Sequence, residues 1–261
     1  VKPGLALLTL FLSGLAAAQT ATPPSDMDTL LSALNKSLRF AVRGETSVTV
    51  IFPPRDPPVR QAQSLPPIKV YPKLLRQNFV VKREAAETVA GRPTQVFSLT
   101  PKLGAAASWR VWVDVSWNVP LAYEERSAGG SLARRAELLS AVKLQKRAAP
   151  IEAELMAGLP QALSIALPGL NLPAGFVAAG VGQRKTGTQL NLSDGINVVA
   201  LVMAPKGVKA AAGVASRKVG DSFVWLVGNL DTGVLKTSLS SIKRSDPGPL
   251  GTFLPPSDSN P

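Results

Sequence analysis

Few side chains in this chain could do covalent or acid–base chemistry. Its 261 residues include no cysteine and no histidine. That excludes disulfides, thiolate metal sites, cysteine nucleophiles, a Ser-His-Asp triad and a His-rich zinc site. Carboxylates remain, and the close acidic pairs are Glu124/Glu125, Glu152/Glu154 and Asp26/Asp28. Two carboxylates can cleave a glycosidic bond when they flank it. Glu124 and Glu125 are neighbours in a strand-like run, where adjacent side chains point to opposite faces, so they cannot share one bond. They read instead as a solvated edge. No acidic cluster suggests a metal, and no catalytic residue or cofactor is expected.

Glycines, aromatics and cations offer binding chemistry. Gly180-Val-Gly182 with Gly187 is superficially a phosphate loop. A dinucleotide fingerprint would need a third glycine at position 185, which is Lys185, and Thr188-Gln189 replaces the Lys and Ser/Thr pair of a Walker loop. The segment reads as a glycine-rich β-turn. Trp109, Trp112, Trp117 and Tyr123 are either core or the lining of an apolar cavity. Lys plus Arg outnumber Asp plus Glu by 29 to 17, a net charge of +12 that favours anionic partners. A basic proteome would give the same balance. The basic groups Arg184-Lys185, Lys206/Lys209, Arg217-Lys218 and Lys243-Arg244 fall mainly at expected turns, without the interleaved aromatics that nucleic-acid binding wants. Nucleic acid is therefore not expected, and Arg184, Lys185, Lys206 and Lys209 are the candidate partner contacts.

These residues need elements to position them. From Trp109 to Trp117 the side chains alternate, with Trp109, Val111, Val113, Val115 and Trp117 on one face. That period of two predicts a long half-buried strand. Gly91-Arg-Pro93, Asn118-Val-Pro120 and Gly129-Gly130 separate it from neighbouring apolar runs, which predicts an antiparallel meander. Upstream, Ser25-Asp-Met-Asp28 is a capping box opening a helix with Leu30, Leu31, Leu34 and Leu38 on one face. Thr46 to Phe52 reads as the first strand, and Lys69-Val-Tyr71 and Phe79-Val-Val81 as short strands. The prolines between Pro53 and Pro67 interrupt regular structure.

In the second half, Asp194-Gly195 between Gln189–Ser193 and Ile196–Met203 is the strongest hairpin signal. Phe223 to Val227 is a further buried strand. Asp231 or Thr232 caps a last helix, with Leu235, Leu239 and Ile242 spaced along one face. At the N-terminus, Leu5 to Leu15 is apolar but too short to span a bilayer, and Ala16-Ala-Ala18 precedes Gln19 in the layout of a secretory signal peptide.

The order of these pieces resembles the RseB/MucB family of periplasmic regulators of an envelope-stress sigma factor. Leu75-Arg-Gln-Asn-Phe-Val-Val81, Val89-Ala-Gly-Arg-Pro93, Arg110-Val-Trp-Val-Asp114 and Val119-Pro-Leu121 are similar to the family's first domain. Leu172-Pro-Ala-Gly-Phe176 and the Ser193-Asp-Gly195 hairpin are similar to its second. The resemblance implies an α+β fold: a curved antiparallel sheet wrapped around a helix, like the LolA/LolB lipoprotein carriers, then a smaller antiparallel β domain with a C-terminal helix. It implies a last strand within Ser131–Lys146, where propensity alone favours helix. The proline-rich stretch after Phe52 departs from the family pattern.

The expected organisation is a signal peptide over 1–18, a lipid-sensing domain over 19–147, a linker over 148–170 with a short helix near Ile151–Met156, a β-rich domain over 171–245, and a disordered tail over 246–261. An apolar cavity would be lined by Leu34, Leu38, Trp109, Val111, Val113 and Val115. The resemblance implies a non-enzymatic periplasmic regulator, not membrane-spanning when mature, that binds an anti-sigma factor's extracytoplasmic domain and senses lipid or envelope damage. The other reading is a periplasmic carrier of lipid or lipoprotein acyl chains. In the regulatory reading, a flexible linker would couple the two domains.

Overall fold

A computed structural model describes residues 23–149, 154–184, 187–209 and 211–254. The expected signal peptide, its cleavage site before Gln19, and Lys185 lie outside them. Helix α1 (Asp26–Ser37) starts where the capping box predicts: Ser25 accepts from the Asp28 backbone N–H and donates its hydroxyl to the Asp28 carboxylate. Its Leu30, Leu31 and Leu34 are buried. Strands β1 (Phe40–Val50), β2 (Val59–Ser64), β3 (Phe79–Arg83), β4 (Glu87–Val89), β5 (Arg92–Pro101), β6 (Ser108–Asp114), β7 (Pro120–Arg126), β8 (Leu132–Leu138) and β9 (Lys143–Lys146) form one antiparallel sheet of nine strands. Its main order is β2-β1-β8-β7-β6-β5-β3, with β4 on β5 and β9 on β1. Helix α2 (Pro72–Asn78) leads into β3.

The register explains which face is dry. Phe97, Val111, Tyr123, Ala136 and Val48 are successive partners across β5, β6, β7, β8 and β1. Together with Leu99 and Trp109 they pack against Leu30 and Leu34 of α1 in one core. The opposite face carries a charge row, Arg110, Glu124 and Arg135, paired across β6, β7 and β8. Arg135 bonds Glu137 at 2.6 Å, and Arg110 bonds Glu84 at 2.7 Å. Trp112 lies under this row, with the Arg110 guanidinium 4.8 Å from its ring.

Several expectations are corrected here. β6 ends at Asp114, whose buried carboxylate accepts from the backbone N–H groups of Ser116 and Trp117 and from Arg92, turning the chain out of the strand. Burial pushes that carboxyl up, but the Arg92 and backbone bonds outweigh it and hold it below the usual range. Val115 thus lies in a turn, 64% exposed, and off the dry face. Glu124 and Glu125 point to opposite faces as expected, yet both are buried and ion-paired rather than solvated. The proline-rich stretch makes the β1–β2 hairpin, while 69–71 forms no strand. Ser131–Lys146 supplies two strands, β8 and β9, instead of one.

A second antiparallel sheet holds β10 (Val177–Arg184), β11 (Gly187–Ser193), β12 (Val198–Ala204), β13 (Val214–Val219) and β14 (Ser222–Val227), in the order β10-β11-β12-β14-β13. One face buries Leu190, Leu201 and Leu226 against α3 (Leu159–Ala166) and α4 (Thr232–Leu239). Asp231 caps α4, accepting from Gly233 and Val234. The segment expected as a linker therefore contains a helix of the second core, with Leu159 and Leu163 buried. The described part of the expected Ile151–Met156 helix, 154–156, is not helical. The expected tail contributes a 3₁₀ turn over Gly248–Phe253, which buries Leu250 in that core. Arg217 and Lys218 lie inside β13 rather than at a turn. The fold is α+β, with two antiparallel sheets and few helices.

Candidate functional site: a joint and a cleft between two sheets

The two sheets meet through the β11–β12 turn. The sequence pattern predicts a two-residue hairpin tip at Asp194-Gly195, but the loop is Asp194–Asn197, because β12 begins at Val198. The Asp194 carboxylate accepts from the Ile196 and Asn197 backbone N–H groups and from Asn197 Nδ2 at 2.8 Å, which closes the turn. Burial raises the Asp194 pKa above the usual carboxylate range, against the pull of those bonds. Inside this turn Ile196 is only 2% exposed, because it plugs the core of the first sheet beside α1. Burying such a side chain is worth about 1.5–3 kcal/mol.

Polar contacts lock the plug. Trp109 Nε1 donates to Asn197 Oδ1 at 2.8 Å, and Asn197 Nδ2 donates to the Ala107 carbonyl at 3.0 Å. Asn78, at the end of α2, donates from Nδ2 to the carbonyls of Asp194 and Gly175. The Tyr71 N–H donates to the Gly195 carbonyl. Buried polar groups met this completely favour one arrangement of the sheets, where the sequence suggested a flexible coupling. We expect Asn197→Ala to cost about 2–3 kcal/mol, since it orphans the buried Trp109 indole N–H and the Ala107 carbonyl. Adding Trp109→Phe should then cost less than it does alone, and urea unfolding of both singles and the double measures that coupling.

Beyond the joint, the sheets stand apart and enclose a cleft of about 560 Å³. One wall continues the dry face of the first sheet past α1, with Val48, Val50 and Tyr123. Arg134 lies in this wall, bonded to Glu125 and stacked 4.7 Å above the Trp109 ring. Asn229 reaches across to donate to the same Glu125 at 2.8 Å. The other wall is the face of the second sheet opposite its core: Gln189, Asn191, Val198, Val202 and Trp225. Phe52 and Arg55 of the β1–β2 hairpin form the rim with Arg60. The Trp225 Nε1 is buried with no hydrogen-bond partner among the described residues. Arg55 and Arg60 are exposed and form no ion pair among the described residues.

The expected cavity residues divide. Leu34, Leu38, Trp109, Val111 and Val113 are buried, and all but Leu38 join one packed core with α1 filling the space between them. The cleft does not include them. Of the expected partner contacts, Arg184 lines the cleft with its guanidinium 6.0 Å from the Trp225 ring. Lys206 and Lys209 are exposed in the loop after β12. Sequence reasoning missed Ile196, Asn197, Trp225 and the β1–β2 hairpin as parts of the site. One signal was available: Ile196 is an apolar residue in an otherwise polar turn, and it needed a partner outside its own hairpin.

No family model matches the sequence, and no curated protein matches it. Solved structures do. A crystal structure of MucB aligns with a TM-score of 0.60 at 17% identity, covering 85% of this chain and 99% of that one. The Pseudomonas aeruginosa MucA/MucB complex aligns at 0.57 and 18% identity, with 85% and 99% covered. MucB in complex with periplasmic MucA aligns at 0.58 and 17% identity, with 83% and 98% covered. No helix among the described residues is long and apolar enough to cross a membrane. With its nine-stranded sheet around α1, its five-stranded second sheet and near-complete overlap with those chains, this protein has the RseB/MucB-like fold.

Proposed function

We propose that this protein is a non-enzymatic, extracytoplasmic regulator that binds the extracytoplasmic domain of an anti-sigma factor and shields it until envelope damage supplies a competing lipid signal. The observation that carries the reading is the fold match to MucB over nearly the whole of that chain, both alone and in complex with MucA. Chemistry supports it. The chain has no histidine or cysteine, and the Glu125 carboxylate in the cleft is paired to arginine and asparagine rather than poised for catalysis.

In this reading the first unit runs over 19–147, and the second, expected over 171–245, extends to take in α3 before it and the turn over Gly248–Phe253 after it. Arg184, Lys185, Lys206 and Lys209 are the partner contacts, whose positive charge would speed encounter with an acidic partner. A lipid would act by competition, through its different affinity for the free and the partner-bound protein. The second reading, an acyl-chain carrier, draws support from the apolar wall of Val48, Val50 and Tyr123. Deleting the gene and measuring the sigma regulon separates the two. The regulatory reading expects altered basal activity and an altered response to envelope stress, and unchanged values for both leave the carrier.

A further inference from the structure

Past Val50, the chain turns through 51–58 before β2 begins, and this turn reaches from the first sheet to the edge of the second. Four of the six residues 53–58 are proline: Pro53, Pro54, Pro57 and Pro58. Proline fixes φ, so the turn has few conformations open to it and moves as a stiff unit. Its base is tied down. The Ile51 and Phe52 N–H groups donate to the Ala133 carbonyl of β8, and the Val50 N–H donates to the Pro58 carbonyl. Between these anchors residues 53–57 are exposed, and no hydrogen bond or ion pair among the described residues holds them.

Phe52 fastens the turn to the second sheet. Its half-buried ring fills the space over Gly213 where a side chain would stand, since a Cβ there would lie 2.4 Å from two ring carbons. Gly213 is itself firmly placed. Its N–H donates to Thr232 Oγ1 at the start of α4, at 3.2 Å, and its carbonyl accepts from the Gly228 N–H after β14, at 3.0 Å. A φ of 65° also suits this position to glycine. The notch is thus rigid, while the ring seated in it is held by apolar contact. Phe52 and Gly228 both line the cleft, so departure of the ring would open the cleft's side.

We infer that the β1–β2 hairpin is a strap across the side of the cleft, latched by Phe52 in the Gly213 notch, and that the cleft opens by release of this strap while the Ile196 plug keeps the two sheets in place. Joint and strap then have separate duties. Buried polar bonds fix the sheets, and one ring sets access to the space between them. Release uncovers a single phenyl ring, a change small enough for a ligand's differential affinity to drive. The inference goes beyond the proposed regulatory reading and holds whatever the cleft takes in.

The chain has no cysteine, so spin labels can be placed on introduced ones alone. Asp56→Cys with Lys218→Cys, exposed positions of the turn and of β13, reads the strap. Lys82→Cys on β3 with Lys218→Cys reads the two sheets. In the otherwise unaltered protein, each pair should give one narrow distance distribution by double electron–electron resonance. Phe52→Ala should shift the open-to-closed ratio of the strap about tenfold, adding a longer distance to the first pair and leaving the second as it was. Gly213→Ala should do the same from the other side of the contact, and should add nothing to the strap distances of Phe52→Ala. In protein carrying 5-fluorotryptophan, a soluble nitroxide should relax the Trp225 fluorine signal about twofold faster once Phe52 is removed, and should leave that of buried Trp109 alone. A broad strap distance before any substitution, an unmoved strap distance or Trp225 relaxation in Phe52→Ala, or a sheet-to-sheet distance that moves with the strap would each overturn the inference.

Discussion

Gly195→Val should be among the most damaging single substitutions in this protein, lowering stability by about 3–5 kcal/mol. Two costs combine. Gly195 has a φ of 123°, where a side chain is strained by about 1–3 kcal/mol. Its Cβ would also lie 2.5 Å from the Leu75 backbone nitrogen, in α2 of the first sheet's unit, and overpacking of that kind costs about 1–3 kcal/mol. Backbone cannot yield as a flexible side chain can, so the turn must withdraw, taking Ile196 and Asn197 with it. Unfolding followed at Trp109, next to the joint, and at Trp225, in the second sheet, should coincide in the unaltered protein and separate in the variant.

Leu34→Ala should cost about 2–5 kcal/mol for a different reason. Leu34 is fully buried between α1 and the dry face of the nine-stranded sheet, so the truncation leaves a cavity that its neighbours fill only in part. The position also separates core from site. Because α1 already occupies the concavity where Trp109, Val111 and Val113 meet, Leu34→Ala should lower the urea midpoint while affinity for the anti-sigma domain is unchanged. A parallel loss of affinity at temperatures where the variant is folded would return Leu34 to the binding surface.

What could be read from the sequence follows from how local each signal is. The α1 cap, the alternation over Trp109–Val113, the Asp231 cap with Leu235, Leu239 and Ile242, and the Asp194-Gly195 turn each depend on residues within a few positions, and each has its element. Val115 failed because the Asp114 carboxylate accepts from the Ser116 and Trp117 N–H groups and turns the chain, which an alternating pattern cannot reveal. Glu125 failed because its partners, Arg134 and Asn229, are nine and over a hundred residues away. The same distance hid the cleft. Its walls belong to different sheets, and the plugging of Ile196 into the other core, with the hydrogen bonds around it, brings them face to face. Gly180-Val-Gly182, which resembled a phosphate loop, stands in a strand, with Gly180 at a β-bulge.

The central claim is that this protein holds an anti-sigma factor outside the cytoplasm, and a direct titration tests it. The purified chain from Gln19 onward would be titrated calorimetrically with the purified extracytoplasmic domain of the anti-sigma factor encoded in the same genome. The account predicts a saturable complex that co-elutes on gel filtration and weakens as salt is raised, in keeping with the excess of Lys and Arg over Asp and Glu. Absence of both heat and co-elution at every concentration, with the protein folded, would contradict it.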